Sequence, residues 1–160
     1  MSHLHTYATT VTWTGNRGTG TSGYRDYARE HELTTDGPAP IAGSSDPAFR
    51  GDPARWNPEQ LLVGALSQCH MLSYLHVCAV AGVVVTAYTD HATGTMNQTA
   101  GGGHFTEVTL HPRVTVASPA MAETALRLHA DAHQACFIAG SVNFPVHHEA
   151  TVLAAPETNA

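Results

Sequence analysis

Between Asn57 and Ala81 the chain runs for about 25 residues with a single formal charge, at Glu59. Leu61, Leu62, Ala65, Leu66, Cys69, Leu72, His76 and Ala79 recur at spacings of three and four, the period of an α-helix. Asn57 suits the capping position, Pro58 the first helical position, and Glu59 the positive end of the helix dipole. Gly82 supplies the stop. A surface helix needs a polar face, and this one has none. The expectation is a central helix buried all round, with the rest of the chain folded about it.

The flanking segments read mainly as strands. Tyr7, Thr9, Val11 and Trp13 alternate before Gly15-Asn16 breaks the run. Further strands are expected over Thr21–Arg29 and Glu32–Thr35. A long Gly-, Pro-, Asp- and Ser-rich loop follows from Asp36 to Trp56, of the kind that is usually functional or mobile. Beyond the helix, Val83–Thr89 and His104–Ala117 read as strands, with a turn at Gly101-Gly102-Gly103. A second helix is expected over Ala120–Ala135, and a last strand over Val146–Leu153. This order predicts one α+β domain over residues 1–160, with antiparallel sheets packed around the long helix.

Composition narrows the function. All 7 basic residues are arginine and the net charge is −6, which excludes a surface built for nucleic-acid phosphates. Charged residues are only 12 %, about half the usual share, so part of the surface is expected to lie in an oligomer interface. Neither Leu61–Leu66 nor Val77–Val85 approaches the roughly 20 apolar residues that span a bilayer, and the N-terminal region has no signal-peptide pattern. The expected location is cytoplasmic, without a membrane partner. With 3 cysteines the chain is no disulfide scaffold.

The cysteines differ in their surroundings. Cys69 and Cys78 lie nine residues apart on the expected helix, about 13 Å along its axis and on opposite faces. That is beyond the roughly 7 Å Cα separation a disulfide tolerates. Cys136, at the end of the second helix, can reach one of them. Cys69 has polar neighbours in Ser67-Gln68-Cys69-His70, whereas Cys78 reads as a small buried hydrophobe.

Three motifs together resemble the OsmC/Ohr family of thiol peroxidases. Asn57-Pro58-Glu59-Gln60-Leu61-Leu62 with Cys69 ten residues after the Glu resembles its first-cysteine motif. Ala132-His133-Gln134-Ala135-Cys136 followed by Phe137-Ile138-Ala139-Gly140-Ser141-Val142 resembles its second. Trp13-Thr14-Gly15-Asn16-Arg17-Gly18 resembles its arginine loop. The resemblance covers nearly the whole chain and implies an OsmC-like fold in an intertwined homodimer. Phe137 stands where the hydroperoxide-resistance branch has proline, so the continuation is closer to the osmotically induced branch.

The resemblance implies a reaction as well. The Cys69 thiolate would attack an organic hydroperoxide and become a sulfenic acid. Arg17 would favour the thiolate and steady the leaving oxygen, and Glu59 would hold Arg17 in a bidentate pair. Cys136 would close a disulfide with Cys69, and a dithiol reductant, of lipoyl type by the resemblance, would reopen it. Met71, Leu72 and Phe137 are candidate pocket residues for an alkyl or fatty-acid substrate. No cofactor is needed. Ten helical residues separate Glu59 from Cys69 by about 15 Å. Either the helix starts later, or Glu59 and Arg17 serve the Cys69 of a partner chain. Arg50 and Arg55, in the long loop, are alternatives to Arg17; Arg25 and Arg29 share the same N-terminal region.

Two other readings stand beside this one. Histidine is abundant, with 12 residues, and His129, His133 and Cys136 share one helix face at i, i+4 and i+7. Imidazole and thiolate are zinc ligands. His133 could instead move a proton near Cys136. His147 and His148 would point to opposite faces of a strand. The third reading is a non-catalytic dimer of the same fold that binds an apolar ligand.

Overall fold

The computed structural model describes residues 3–155. The chain divides into two compact units, Met1–Leu62 and Val63–Ala160.

The first unit is a three-stranded antiparallel sheet of β1 (Thr10–Trp13), β2 (His31–Thr34) and β3 (Ile41–Gly43). The strand expected over Thr21–Arg29 does not form. Asn16 Oδ1 accepts from the Gly18 and Gly20 amides at 2.8 and 3.0 Å, and both glycines have positive φ. The Arg29 guanidinium then donates to the Tyr24 and Tyr27 carbonyls and lies over both rings, 4.5 and 4.0 Å from their centres. These local bonds fold the segment into a loop before any ladder can pair it.

The segment expected to be structureless, 36–56, carries β3 and a 3₁₀ turn at Pro47–Phe49. Asp46 caps that turn through the Ala48 amide, and Arg50 leaves it with a left-handed φ of 67°. Helix α1 (Pro58–Val80) begins where the sequence placed it. Asn57 Oδ1 accepts from the Gln60 amide at 2.8 Å, while Gln60 Oε1 accepts from the Asn57 amide at 3.1 Å. This reciprocal capping box satisfies two amides that a helix start otherwise leaves open.

The second unit holds most of α1, six strands and α2 (Ala122–Ala135). The strands are β4 (Val85–Asp90), β5 (Thr93–Thr99), β6 (Gly102–Leu110), β7 (Pro112–Val116), β8 (Val146–His148) and β9 (Thr151–Ala154). They form two sheets, β4-β7-β9 and β5-β6-β8. In each, the first pair is antiparallel and the last strand is parallel to the middle one.

The runs expected as single strands, His104–Ala117 and Val146–Leu153, each break once and pass from one sheet to the other. The first breaks at His111, whose amide donates to Asp90 Oδ1 at 2.7 Å. The second breaks beside it, where the Glu149 amide donates to the Leu110 carbonyl at 2.8 Å. Strand β5 carried no sequence signal: all seven of its residues are exposed, so it lacks the alternation that burial imposes.

The core of this unit packs Tyr74 and Cys78 of α1 against Val83, Val114, Val116, Ala125 and Ala132. A second cluster joins Leu66 to Val108 and Leu110. Each large apolar side chain buried here contributes about 1.5–3 kcal/mol. Helix α1 is not buried all round. It buries one stripe, Leu66, His70, Tyr74 and Cys78, spaced by four, while Leu72 and Val80 stay 62 % and 77 % exposed. Strands and α2 cover one side of the helix, and among the described residues nothing covers those two side chains.

The 23-residue α1 is long and apolar enough to cross a membrane, contrary to the reading from its separate apolar stretches. Its polar groups are nonetheless bonded to other elements: Ser67 to Asp90, His70 to His129, and Tyr74 to the Ala125 carbonyl. That is the pattern of a core helix.

Candidate active site

The second unit brings together two of the candidate residues. Cys69 stands half-buried on α1, and Cys136 stands buried at the C-terminal end of α2. Their thiols are near enough to act on one another, and all three cysteines are free. At Cys136 the helix stops: φ is −77° and ψ is 105°, and its amide donates to the His133 carbonyl at 3.3 Å. The chain then turns back on itself. The Ala139 amide donates to Cys136 Sγ at 3.5 Å, and the Gly140 amide donates to the Cys136 carbonyl at 3.0 Å. The second sulfur is thus held by a turn while the first rides on a rigid helix.

Burial acts on the Cys136 and Cys78 sulfurs. Burial, and then the neighbouring Cys69 thiol, push Cys136 up to about 11. At neutral pH Cys136 is therefore a protonated thiol, unsuited to attack first. Cys78 is also pushed up by burial, and it packs with Tyr74 in the core. It lies on the same unbroken helix as Cys69, so the two cannot pair.

Arg17 and Glu59 both belong to the first unit. Among the described residues no ion pair joins them. Arg17 is exposed, while Glu59 Oε2 is buried without a hydrogen-bond partner. The pair expected between them does not close within one chain. Of the other arginines, Arg29 is taken up by the two tyrosines and Arg55 faces Asp52 at 3.7 Å. Arg25 and Arg50 are exposed.

Of the candidate pocket residues, Leu72 lies one turn beyond Cys69 on α1 and Phe137 follows Cys136. Met71 is two residues on, about 200° around the helix. Leu72 is largely exposed, and Phe137 is 83 % exposed. Leu72 and Phe137 thus present apolar surface outward, while Met71 is half-buried.

The candidate zinc set of His129, His133 and Cys136 is likewise not assembled; no metal-holding group occurs among the described residues. His129 turns into the core, where its Nδ1 lies 3.0 Å from His70 Nε2. The His133 ring is tilted 50° to that of His148, 5.7 Å between centres, and the Cys136 sulfur is a neighbour of Cys69. On β8, His148 is half-buried, while the exposed His147 lies 3.6 Å from Glu107, as strand alternation requires.

Sequence reading missed one feature, the packing of His70, His129 and His148 with Tyr74. His70 and His129 are each 1 % exposed. A signal was available. His70 falls four residues from Leu66 and from Tyr74, and His129 four from Ala125, each on its helix's buried stripe.

A family model of OsmC-like proteins matches residues 51–151. The fold is similar to that of an OsmC-like protein of unknown function from Vibrio cholerae, at 32% identity and a TM-score of 0.82, covering 92% of this chain and 100% of that one. It is also similar to an organic hydroperoxide resistance protein from Elizabethkingia anophelis, at 22% identity and a TM-score of 0.69, over 97% and 100% of the two chains. A third similar structure is an organic hydroperoxide resistance protein from Legionella pneumophila, at 20% identity and a TM-score of 0.68, over 95% and 99%. No curated protein sequence matches significantly.

Proposed function

The chain belongs to the OsmC-like family, and from that premise we propose that it is a thiol-dependent peroxidase that reduces organic hydroperoxides to alcohols. The observation that carries this reading is that Cys69 on α1 and Cys136 at the end of α2 are neighbours that act on one another. That two similar structures are named organic hydroperoxide resistance proteins supports it.

Cys69 attacks the distal peroxide oxygen as a thiolate. The O–O bond breaks, the alkoxide leaves and takes a proton as the alcohol, and Cys69 becomes a sulfenic acid. The Cys136 sulfur then attacks the Cys69 sulfur. Its proton leaves with the displaced hydroxide as water, and the S–S bond forms. A dithiol of lipoyl type restores both thiols by exchange and is itself oxidised to a disulfide. A Cys136 that stays protonated suits the second role, because it reacts only once a sulfenic acid stands beside it.

Arg17 and Glu59 act on the Cys69 of a partner chain in this proposal. Helix α1 starts at Pro58, which removes the alternative of a later start. Glu59 and Cys69 are then about 15 Å apart along one axis. A buried carboxylate oxygen without a partner and an exposed guanidinium are what each half of a shared site presents alone. The exposed Leu72, Leu75, Val80, Phe137 and Ile138 support a homodimer that covers them.

The test is thiol titration before and after one equivalent of cumene hydroperoxide. Two thiols per chain are expected to disappear, with a Cys69–Cys136 bridge on peptide mapping. No thiol loss at substoichiometric peroxide would overturn the proposal and favour a non-catalytic, apolar-ligand-binding dimer. A dilute monomer that keeps full activity would overturn the shared site alone.

A further inference from the structure

Three elements of the second unit converge on a stack of imidazoles. His70 comes from α1, His129 from α2 and His148 from β8. The His70 and His129 rings are parallel within 8° at 5.3 Å, and His148 lies 5.6 Å from the one and 6.0 Å from the other. Tyr74 closes the stack on His129 at 3.9 Å, and His133 edges it through His148.

The hydrogen bonding of this stack is incomplete. The contact between His70 Nε2 and His129 Nδ1 uses one proton and one lone pair. The outer nitrogens, His70 Nδ1 and His129 Nε2, are buried with no partner. Either tautomer therefore leaves one buried N–H and one buried lone pair unsatisfied. A proton added to the pair has no acceptor waiting for it.

Most surrounding groups oppose a proton here, and the Asp90 carboxylate alone favours one, on His70. Around His70 stand His148, His133 and the Asp90 carboxylate; around His129 stand His70 and His148; around His148 stand His133 and His147. Asp90 on β4 is the one acidic group among them, and it is engaged by the Ser67 hydroxyl and the His111 amide. The other packed groups, Tyr74 and Tyr88, stay neutral, since burial raises both.

We propose that these imidazoles form an acid-sensitive latch: neutral, they hold α1, α2 and β8 together, and protonated, they force the two helices apart and unpair Cys69 from Cys136. The link to the sulfurs is direct in the chain. His70 follows Cys69 on α1, and His129 stands two turns before Cys136 on α2. The latch rests on geometry alone, whereas its consequence, loss of disulfide closure in acid, rests on the peroxidase reading. Burial first, then the neighbouring imidazoles, lower His70 to about 4 and His129 to about 3, which supports a latch that stays closed at neutral pH.

The experiment uses no peroxide, so it fails or succeeds independently of the peroxidase reading. The reduced protein is labelled with 4,4′-dithiodipyridine, which reacts with thiols in acid, at pH 7.5 and pH 4.5. Each rate is normalised to the denatured chain at the same pH. The normalised Cys136 rate is expected to rise at least tenfold at pH 4.5, with helical circular dichroism retained. The His70→Asn, His129→Asn double variant is expected to lose that response. Should the variant not fold, proton NMR of the histidine rings in the unaltered protein decides. Two imidazoles should remain neutral down to pH 5.5 and then titrate together with Cys136 exposure. Equal protection of Cys136 at both pH values, or His70 and His129 titrating near 6.5 in a closed protein, would overturn the latch.

Discussion

Acidification from pH 8 to pH 4.5 should remove much of the protein's thermodynamic stability, in a window set by two histidines. In the unfolded chain both titrate near 6.5, whereas burial lowers them in the fold, His70 to about 4 and His129 to about 3. The fold thus binds fewer protons than the unfolded chain between those values. Stability is intact above pH 6.5 and falls as pH drops through the window toward the folded values. At pH 4.5 each unfolded imidazole has gained a proton that its folded counterpart resists, a loss of somewhat under 3 kcal/mol per site. Together the two amount to about 5 kcal/mol, an upper figure because the rings interact. Whole domains carry only about 5–15 kcal/mol, so this is a large fraction. The assay is urea unfolding at half-unit pH intervals, following Trp fluorescence. Between pH 6 and 5, where few carboxylates titrate, the slope should approach 2 kcal/mol or more per pH unit, roughly two protons' worth. A slope near zero there would refute the claim that both rings are held neutral by burial. His129→Asn should cut the slope by about half.

Further outcomes follow from particular contacts. Cys136→Ser should leave the first attack intact and stall Cys69 as a sulfenic acid, so a second equivalent of cumene hydroperoxide should produce sulfinic acid by mass spectrometry; a normal catalytic cycle in this variant would remove Cys136 from the mechanism. Asn57→Ala breaks the capping box and should cost about 1 kcal/mol, or a fall of about 2–4 °C in Tm on a calorimetric scan. Gly15→Ala places a methyl 2.0 Å from the Ala28 carbonyl oxygen, so backbone must move. Urea unfolding should show a loss of at least 1 kcal/mol, and a neutral result would mean that the loop after β1 is free to shift. Tyr74→Phe strips the donor from the buried Ala125 carbonyl and should cost about 1–3 kcal/mol by the same method.

Much of the architecture was legible in local pattern. Helix α1 announced itself through period, cap and stop: Asn57, Pro58 and Gly82 act within a few residues of where they stand, so their meaning survives without tertiary context. The failures were places where a bond outside the expected ladder decides, whether near in the chain or far. Arg29 undid the expected strand by reaching back to two carbonyls of its own loop. His111 and Glu149 bend two strands because each amide bonds outside its own ladder, at Asp90 and at Leu110. Exposed β5 pairs through its backbone and so left no mark in its side chains.

The candidate site divides along the same line. By itself the sequence determined which sulfurs can cooperate. Helical phase keeps Cys69 from Cys78, and that argument needs only an α-helix. It also identified Cys136 as a possible mate and marked Glu59 as too far along its own helix to serve the same Cys69. Only the tertiary structure decided that Cys69 and Cys136 are neighbours, that Glu59 keeps a buried oxygen without a partner, and that His129 faces His70 and not His133 and Cys136. The physical reason is one of range. Periodicity and capping are properties of neighbours along the chain, whereas a pair of neighbouring thiols, an unpartnered carboxylate or a stack of imidazoles exists only once separate elements have packed and excluded water between them.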